Sequence, residues 1–229
     1  MKSGEEVTWT EEGVPFSPAY DDVYVSRSGP AQATEVFVGG NDLPARFAAG
    51  EDVVVLETGL GLGLNLCATL RAWIAAGAGG SLRYAAIELH PLEPQTIERA
   101  HARLGTHDDA VRAFLLAYPE LLAEGCARID LAGRFVEIEL SIGDGAEALR
   151  ALDLVADAIY LDGFAPAKNP GLWSDAVFAE LGRLARSGAT LATYTAASSV
   201  REGLDRAGFD VERCEGFARK RHRLVGRRR

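Results

Sequence analysis

Long apolar runs are missing from this 229-residue chain. No stretch approaches the roughly 20 residues a helix needs to cross a bilayer, so no membrane partner is expected. The opening MKSGEEVTWTEEG has early acids and no apolar segment, so it does not read as a secretory signal. The expected location is the cytoplasm. Cysteine is scarce: Cys67, Cys126 and Cys214 lie far apart, which argues against a disulfide framework or a zinc site. They are expected as buried apolar thiols. His90, His101, His107 and His222 show no ligand spacing and are expected on the surface, so no metal is anticipated. Internal repeats and low-complexity segments are also absent. Basic residues are outnumbered, 24 against 33 acids, for a net charge of −9. That excludes a uniformly basic nucleic-acid binder. The distribution is uneven, however. From Gly216 onward there is no acid, while Arg219, Lys220, Arg221, Arg223, Arg227, Arg228 and Arg229 are cationic. This is either a solvated tail or a basic edge suited to phosphate.

Against these absences stands a 48% hydrophobic fraction, enough for one sizeable core. Residues 1–50 read as an N-terminal extension. EVFVGG (Glu35–Gly40) suggests a short strand, and the aromatic-rich PFSPAYDDVYVS is compatible with a small hairpin. Residues 51–229 read as the main domain. Strand-like VVVLE, LRYAAIE, RFVEIEL, DAIYL and ATLATYT alternate with helical LNLCATLRAWIAAG, TIERAHARL, SDAVFAELGRLAR and ASSVREGLDRAG. That alternation predicts an α/β fold, a mostly parallel sheet covered on both faces. Residues 106–133 are expected as a helical insertion. FDVERCEG and ARKRHRLVG, with no helix between them, predict a C-terminal antiparallel hairpin.

Between the first of these strands and its helix lies ETGLGLGLN, Glu57 to Asn65. Gly59, Gly61 and Gly63 permit close approach of a ligand to the backbone. The same glycines also serve tight strand-to-helix packing. Glu88 ends the next strand, where a carboxylate can take both hydroxyls of a ribose. Asp144, in IGDG, ends a third. NAD and S-adenosylmethionine both fit a glycine loop with a ribose acid. The dinucleotide fingerprint, however, is G-x-G-x-x-G with pyrophosphate on a helix N-terminus. Here the spacing is G-x-G-x-G directly after Glu57, and a carboxylate there repels pyrophosphate. It suits a cationic methionine moiety, which favours S-adenosylmethionine as cofactor.

The stretch LDGFAPAKNPGLW, residues 161–173, places Asp162 at the end of a buried strand. In such a sheet this strand lies beside the first, so its loop should border the transferred methyl group. Asp162 alone is equally a turn cap, and Phe164 and Trp173 are equally core residues. The flanking residues carry a resemblance. DGFAPAKNPGLW, LATYTAASSVREGLDRAGF and GFARKR, preceded in order by PFSPAYDDVYVS, VFVGGNDLPARF, ETGLGLGLN and IELHP, resemble the methyltransferase domain of the bifunctional tRNA 5-methylaminomethyl-2-thiouridine biosynthesis proteins. The resemblance covers nearly the whole chain. It departs from the family pattern at Leu60, Leu62 and Leu66, where an aromatic and a Thr are usual, and at Leu89, where a basic residue is usual.

The resemblance implies a Rossmann-like, class I S-adenosylmethionine-dependent methyltransferase. Its substrate would be the aminomethyl nitrogen of a modified wobble uridine in tRNA; in the bifunctional proteins a flavin-dependent oxidase domain makes the free amine, and its source here, a separate oxidase being one candidate, stays open. Glu57, Gly59, Gly61, Gly63, Asn65, Glu88, Asp144 and Asp162 are the expected cofactor-binding residues. Asp162 would orient the amine, and Phe164 would stack on the uracil. Lys168 would hold a phosphate or the loop itself. Arg219, Lys220 and Arg221 would meet RNA phosphates. Three rival readings are a polyamine-type aminopropyltransferase, a non-catalytic tRNA-binding module and an NAD oxidoreductase; the last is disfavoured by Glu57.

Overall fold

The computed structural model describes residues 7–26, 29–131, 133–218 and 221–229. The chain enters through a small antiparallel sheet of β1 (Thr8–Trp9), β2 (Pro15–Ser17) and β3 (Asp22–Val23). A helical segment follows. It begins as α1 (Pro30–Gln32) and continues through a π-helical stretch (Ala33–Val38), a 3-10 turn (Gly39–Asn41) and α2 (Leu43–Ala48). EVFVGG is therefore helical, not the expected strand. Val36, Phe37 and Val38 are all about 1% exposed. A short apolar run buried on every side has no period that distinguishes helix from strand.

The main domain opens with β4 (Val53–Glu57), α3 (Leu64–Ala75), β5 (Leu82–Glu88), α4 (Pro94–Leu104) and α5 (Asp109–Glu124). It continues with β6 (Cys126–Leu131), β7 (Arg134–Ile142), α6 (Gly145–Ala151), β8 (Ala156–Tyr160), α7 (Asp175–Leu184), β9 (Ala185–Thr193) and α8 (Ser198–Arg206). The closing hairpin is β10 (Phe209–Glu215) and β11 (His222–Arg228), antiparallel as expected. The sheet order is β10-β11-β9-β8-β4-β5-β7-β6. Strands β9, β8, β4, β5 and β7 are mutually parallel. Alternation splits the sheet's burial between two faces. Val53 and Val55 of β4 pack into one apolar cluster, Leu56 into the other.

Three further expectations need correction. The 106–133 segment is helical only through Glu124, and Cys126–Leu131 is an edge strand antiparallel to β7. Its signal was the alternation of Ala127, Ile129 and Leu131, which are buried while Cys126, Arg128 and Asp130 are exposed. Of the cysteines, only Cys67 is buried; Cys126 is exposed and Cys214 half-buried. Burial pushes the Cys67 thiol up to about 12. His101 is fully buried, not on the surface, and its Nε2 sits 2.9 Å from the Leu62 carbonyl oxygen. Among the described residues, no helix is long and apolar enough to cross a membrane, and no cluster of His, Cys, Asp and Glu could hold a metal ion.

The C-terminal basic residues divide. Leu224 of β11 pairs with Thr193, while Arg227 pairs with Thr190. The end of β11 near residue 222 thus lies at the C-terminal end of the parallel strands, and Arg227–Arg229 lie toward the opposite rim. There Arg227 donates to the Gly188 carbonyl, Arg228 to those of Gly182 and Gly208, and Arg229 pairs with Asp205 and Asp210. Arg221 is exposed, and Arg219 and Lys220 lie outside the described residues.

Candidate active site

Chain order reverses beside β4, with β5 on one side and β8 on the other. Open parallel sheets bind ligands at such a point, beyond the strand C-termini. The register places four acids there. Glu57 ends β4 and is paired with Ala86 of β5 and Tyr160 of β8. Glu88 and Asp162 each stand two residues beyond those partners. Asp144 stands two beyond Ile142, which pairs with Glu88.

Glu57 is 1% exposed. Its carboxylate accepts from Asn65 Nδ2 at 2.6 Å and from the Tyr84 hydroxyl at 2.8 Å. Burial, and next the nearby Asp162 charge, hold it well above the usual carboxylate range despite those two donors. The same Asn65 nitrogen donates to Asp162 Oδ2 at 2.7 Å. Asn65 lies one residue into α3, so the strand-to-helix turn carries the amide back over both acids.

The glycine loop is tied to its neighbours. Thr58 Oγ1 donates to the Asp162 carbonyl at 2.7 Å and accepts from the Asp162 amide at 3.0 Å. A Cβ on Gly59 would stand 3.3 Å from that carbonyl, which explains a glycine where the two strand ends close. Gly63 has φ +70°, and a Cβ there would come within 2.5 Å of the Phe114 ring. Leu60 and Leu62, the departures from the family pattern, bury their side chains in the core. Glu88 accepts from the Gly61 amide with Oε2 and from the His90 amide with Oε1, both at 2.9 Å.

The 161–173 loop is held from several sides. Asp162 Oδ1 accepts from the Gly163 amide at 2.8 Å. The Tyr194 hydroxyl donates to the Gly163 carbonyl at 2.9 Å, and Trp173 Nε1 to the Phe164 carbonyl at 2.8 Å. Trp173 is thus a buried prop of the loop, as the core reading expected. Burial raises the Tyr194 phenol, with Asp162 and Asp22 adding to the shift. Lys168 forms an ion pair with Asp21, so it fastens the loop to the N-terminal extension.

That extension was missed as part of the site. Asp22 Oδ2 accepts from the Ala165 amide at 2.9 Å. Tyr20 stacks on Phe164 with centroids 4.6 Å apart, and Tyr24 meets the same ring edge-on at 5.0 Å. The aromatic density of PFSPAYDDVYVS was the available signal, since exposed-chain aromatics cluster at binding sites.

These elements enclose a cavity of about 350 Å³, within the range of small-molecule sites. Of the expected site residues, Glu57, Gly59, Gly61, Asn65, Glu88, Asp144, Asp162 and Phe164 line it, while Gly63 and Lys168 do not. Asp22 adds a fifth acid. Among the described residues neither Lys nor Arg lines the cavity. These acids repel a pyrophosphate, whereas a sulfonium and an ammonium would be attracted. The donor set fits S-adenosylmethionine.

Comparison with known proteins agrees. A family model described as S-adenosyl-L-methionine-dependent methyltransferase matches residues 106–229. The chain is 46% identical over 222 residues to the tRNA 5-methylaminomethyl-2-thiouridine biosynthesis bifunctional protein MnmC of Cupriavidus metallidurans, covering 95% of this chain and 33% of that protein. It is 46% identical over 226 residues to the protein of the same name from Stutzerimonas stutzeri, covering 96% and 34%. The chain therefore spans about a third of the length of these curated relatives. The crystal structure of MnmC2 from Aquifex aeolicus superposes with a TM-score of 0.74 at 23% identity, covering 99% of this chain and 71% of that one, and so shares the fold. With a matching family model over more than half its length and a cavity chemically suited to the cofactor, the chain belongs to the S-adenosyl-L-methionine-dependent methyltransferases.

Proposed function

We propose that the chain methylates the aminomethyl nitrogen of 5-aminomethyl-2-thiouridine at the wobble position of tRNA, giving 5-methylaminomethyl-2-thiouridine, and that it does so in the cytoplasm. The observation that carries this reading is Asp162. Its carboxylate lines an acid-rich cavity and is fixed by Asn65 and the Gly163 amide. The names of relatives about 46% identical over nearly the whole chain point to the same substrate.

S-adenosylmethionine, when bound, supplies an electrophilic methyl group on a sulfonium. The protein's residues do the rest. Glu57, Glu88 and Asp144 provide the charge and acceptors for the cofactor's cationic and hydroxyl groups, and Gly59 and Gly61 let it approach the backbone. Asp162 accepts a hydrogen bond from the acceptor amine, aims its lone pair, and hands the departing proton to water. Orientation is the larger contribution, because an ordinary carboxylate is a weak base. Phe164 stacks on the uracil ring, a contact worth about 1–3 kcal/mol. Lys168 acts through the loop by holding Asp21. Arg219, Lys220 and Arg221 bind RNA phosphates. The free amine is produced by a flavin-dependent oxidase, in the same protein or a separate one.

Transfer of a labelled methyl group to tRNA that carries aminomethyl-uridine tests the reading. The wild type should transfer label. Asp162→Ala should keep S-adenosylmethionine binding and lose transfer. No label on tRNA, together with transfer of an aminopropyl group from the decarboxylated cofactor to a polyamine, would favour the aminopropyltransferase reading. Failure to bind the cofactor in a calorimetric titration would favour a non-catalytic tRNA-binding module.

A further inference from the structure

Tyr20 comes from the corner between β2 and β3, yet its ring sits at the mouth of the cavity. On one side it stacks on Phe164, with centroids 4.6 Å apart and planes 24° apart. It also meets the His90 ring, with centroids 6.0 Å apart and planes tilted by 54°. Phe164 follows β8 and His90 follows β5, so Tyr20 spans the gap between the two loops that flank the glycine loop. All three residues line the cavity. The consequence for the acceptor is direct. A base stacking on Phe164, as the reading above requires, meets a face already covered by Tyr20, while Tyr24 occupies the ring edge.

We propose that Tyr20 is an acceptor-binding residue that, with Phe164, takes the two faces of the acceptor's pyrimidine ring. The inference rests on the methyl-transfer reading above and adds a second residue to its base-binding wall. The base replaces one ring–ring stack with two base–ring stacks, so the exchange is favourable so long as Tyr20 yields easily. The Tyr20 amide donates to the buried Ser17 Oγ at 3.2 Å, which anchors the backbone, so the ring moves by side-chain rotation, and one outer tether of the corner is of the kind that yields. Lys168–Asp21 is a surface ion pair whose side chains are 42% and 74% exposed, and such pairs contribute little. Asp22 holds the Ala165 amide next to it, which keeps the hairpin registered on the loop while the ring moves. Stacking is tolerant of base identity. Tyr20 therefore selects a flat ring, and the acids beneath it select the aminomethyl substituent.

Steady-state kinetics with aminomethyl-uridine tRNA test this, alongside calorimetric titration with S-adenosylmethionine. Tyr20→Leu should raise KM for the tRNA by about tenfold or more. It should leave kcat within about threefold and cofactor affinity unchanged. Tyr20→Phe, which keeps the ring, should restore most of the affinity for tRNA lost in Tyr20→Leu. A Tyr20→Leu enzyme with unchanged KM overturns the assignment. So does an equal loss in cofactor affinity, which would make Tyr20 a merely structural prop. Should Tyr20→Leu fail to fold, Tyr20→His keeps a smaller flat ring; it should fall between wild type and loss, and a KM equal to wild type would again overturn the proposal. A wild type that transfers no methyl group to this tRNA removes the functional reading itself, whereas an active wild type with an indifferent Tyr20 removes only this inference.

Discussion

Asn65 Nδ2 lies 2.7 Å from Asp162 Oδ2, and the same nitrogen lies 2.6 Å from Glu57 Oε1. One amide thus uses both of its hydrogens to hold two carboxylates, one at the end of each of two neighbouring strands. Leaving a buried acceptor unsatisfied costs about 1–3 kcal/mol, and more where the acceptor is charged. Asn65→Leu should therefore lower kcat/KM by at least about tenfold and lower the thermal midpoint. Asn65→Asp should be worse, because it replaces the donor by a third carboxylate. Measured kcat/KM and melting curves check both. A fully active Asn65→Leu would show that Asp162 is positioned without this amide.

The raised affinity of Glu57 for its proton gives a pH signature. Burial is the main cause and the Asp162 charge the second. A raised acid contributes stability that is present below its unfolded value and lost as pH rises through its folded value. In the free protein, stability should thus decline over the range above the usual carboxylate value. A cationic cofactor beside Glu57 favours the ionised form, so binding at mildly acidic pH should release a proton and tighten as pH rises. Calorimetry in buffers of different ionisation enthalpy measures that release. Glu57→Gln should abolish it, and a wild type that releases none would mean that the cofactor's charge does not act on Glu57.

Gly63 faces two constraints together, a φ of +70° and a Phe114 ring where a Cβ would stand. Gly63→Ala should cost about 1–3 kcal/mol from backbone strain alone, with overpacking against Phe114 added. Because Gly63 lies outside the cavity lining, the loss should appear first in the melting temperature and only then in cofactor affinity. Chemical denaturation with and without S-adenosylmethionine separates the two. An alanine variant as stable as wild type would indicate that α5 yields to accommodate it.

What was legible in the sequence was what local pattern determines. VVVLE, LRYAAIE and DAIYL end in or just before an acid, and parallel strands bring such ends to one edge, so Glu57, Glu88, Asp144 and Asp162 were found together. What was not legible depended on contacts between distant segments. Asn65 meets Asp162 across 97 residues, and Asp22 meets Ala165 across 143. Neither spacing has a periodic signature, so the N-terminal hairpin read as an accessory and Lys168 as a phosphate candidate as much as a tether. His101 was assigned to the surface because nothing local marks the Leu62 carbonyl 39 residues away as its partner. The basic C-terminus read as a single edge because the sequence does not say which end of β11 faces the site.

That division yields the last prediction. Each phosphate contact contributes about one unit to the slope of log K against log salt. Substituting Arg219, Lys220 and Arg221 by Gln should flatten the slope for tRNA binding by about one unit for each contact made. Arg227 and Arg229 are spent on the Gly188 carbonyl and on Asp205 and Asp210, toward the rim away from the cavity. Substituting those two should leave the slope unchanged and instead loosen the terminal hairpin, visible as a lower melting temperature. The reverse pattern, a flattened slope from Arg227 and Arg229 with none from residues 219–221, would place the RNA on the opposite rim of the sheet. It would then be incompatible with Asp162 as the residue that meets the acceptor amine.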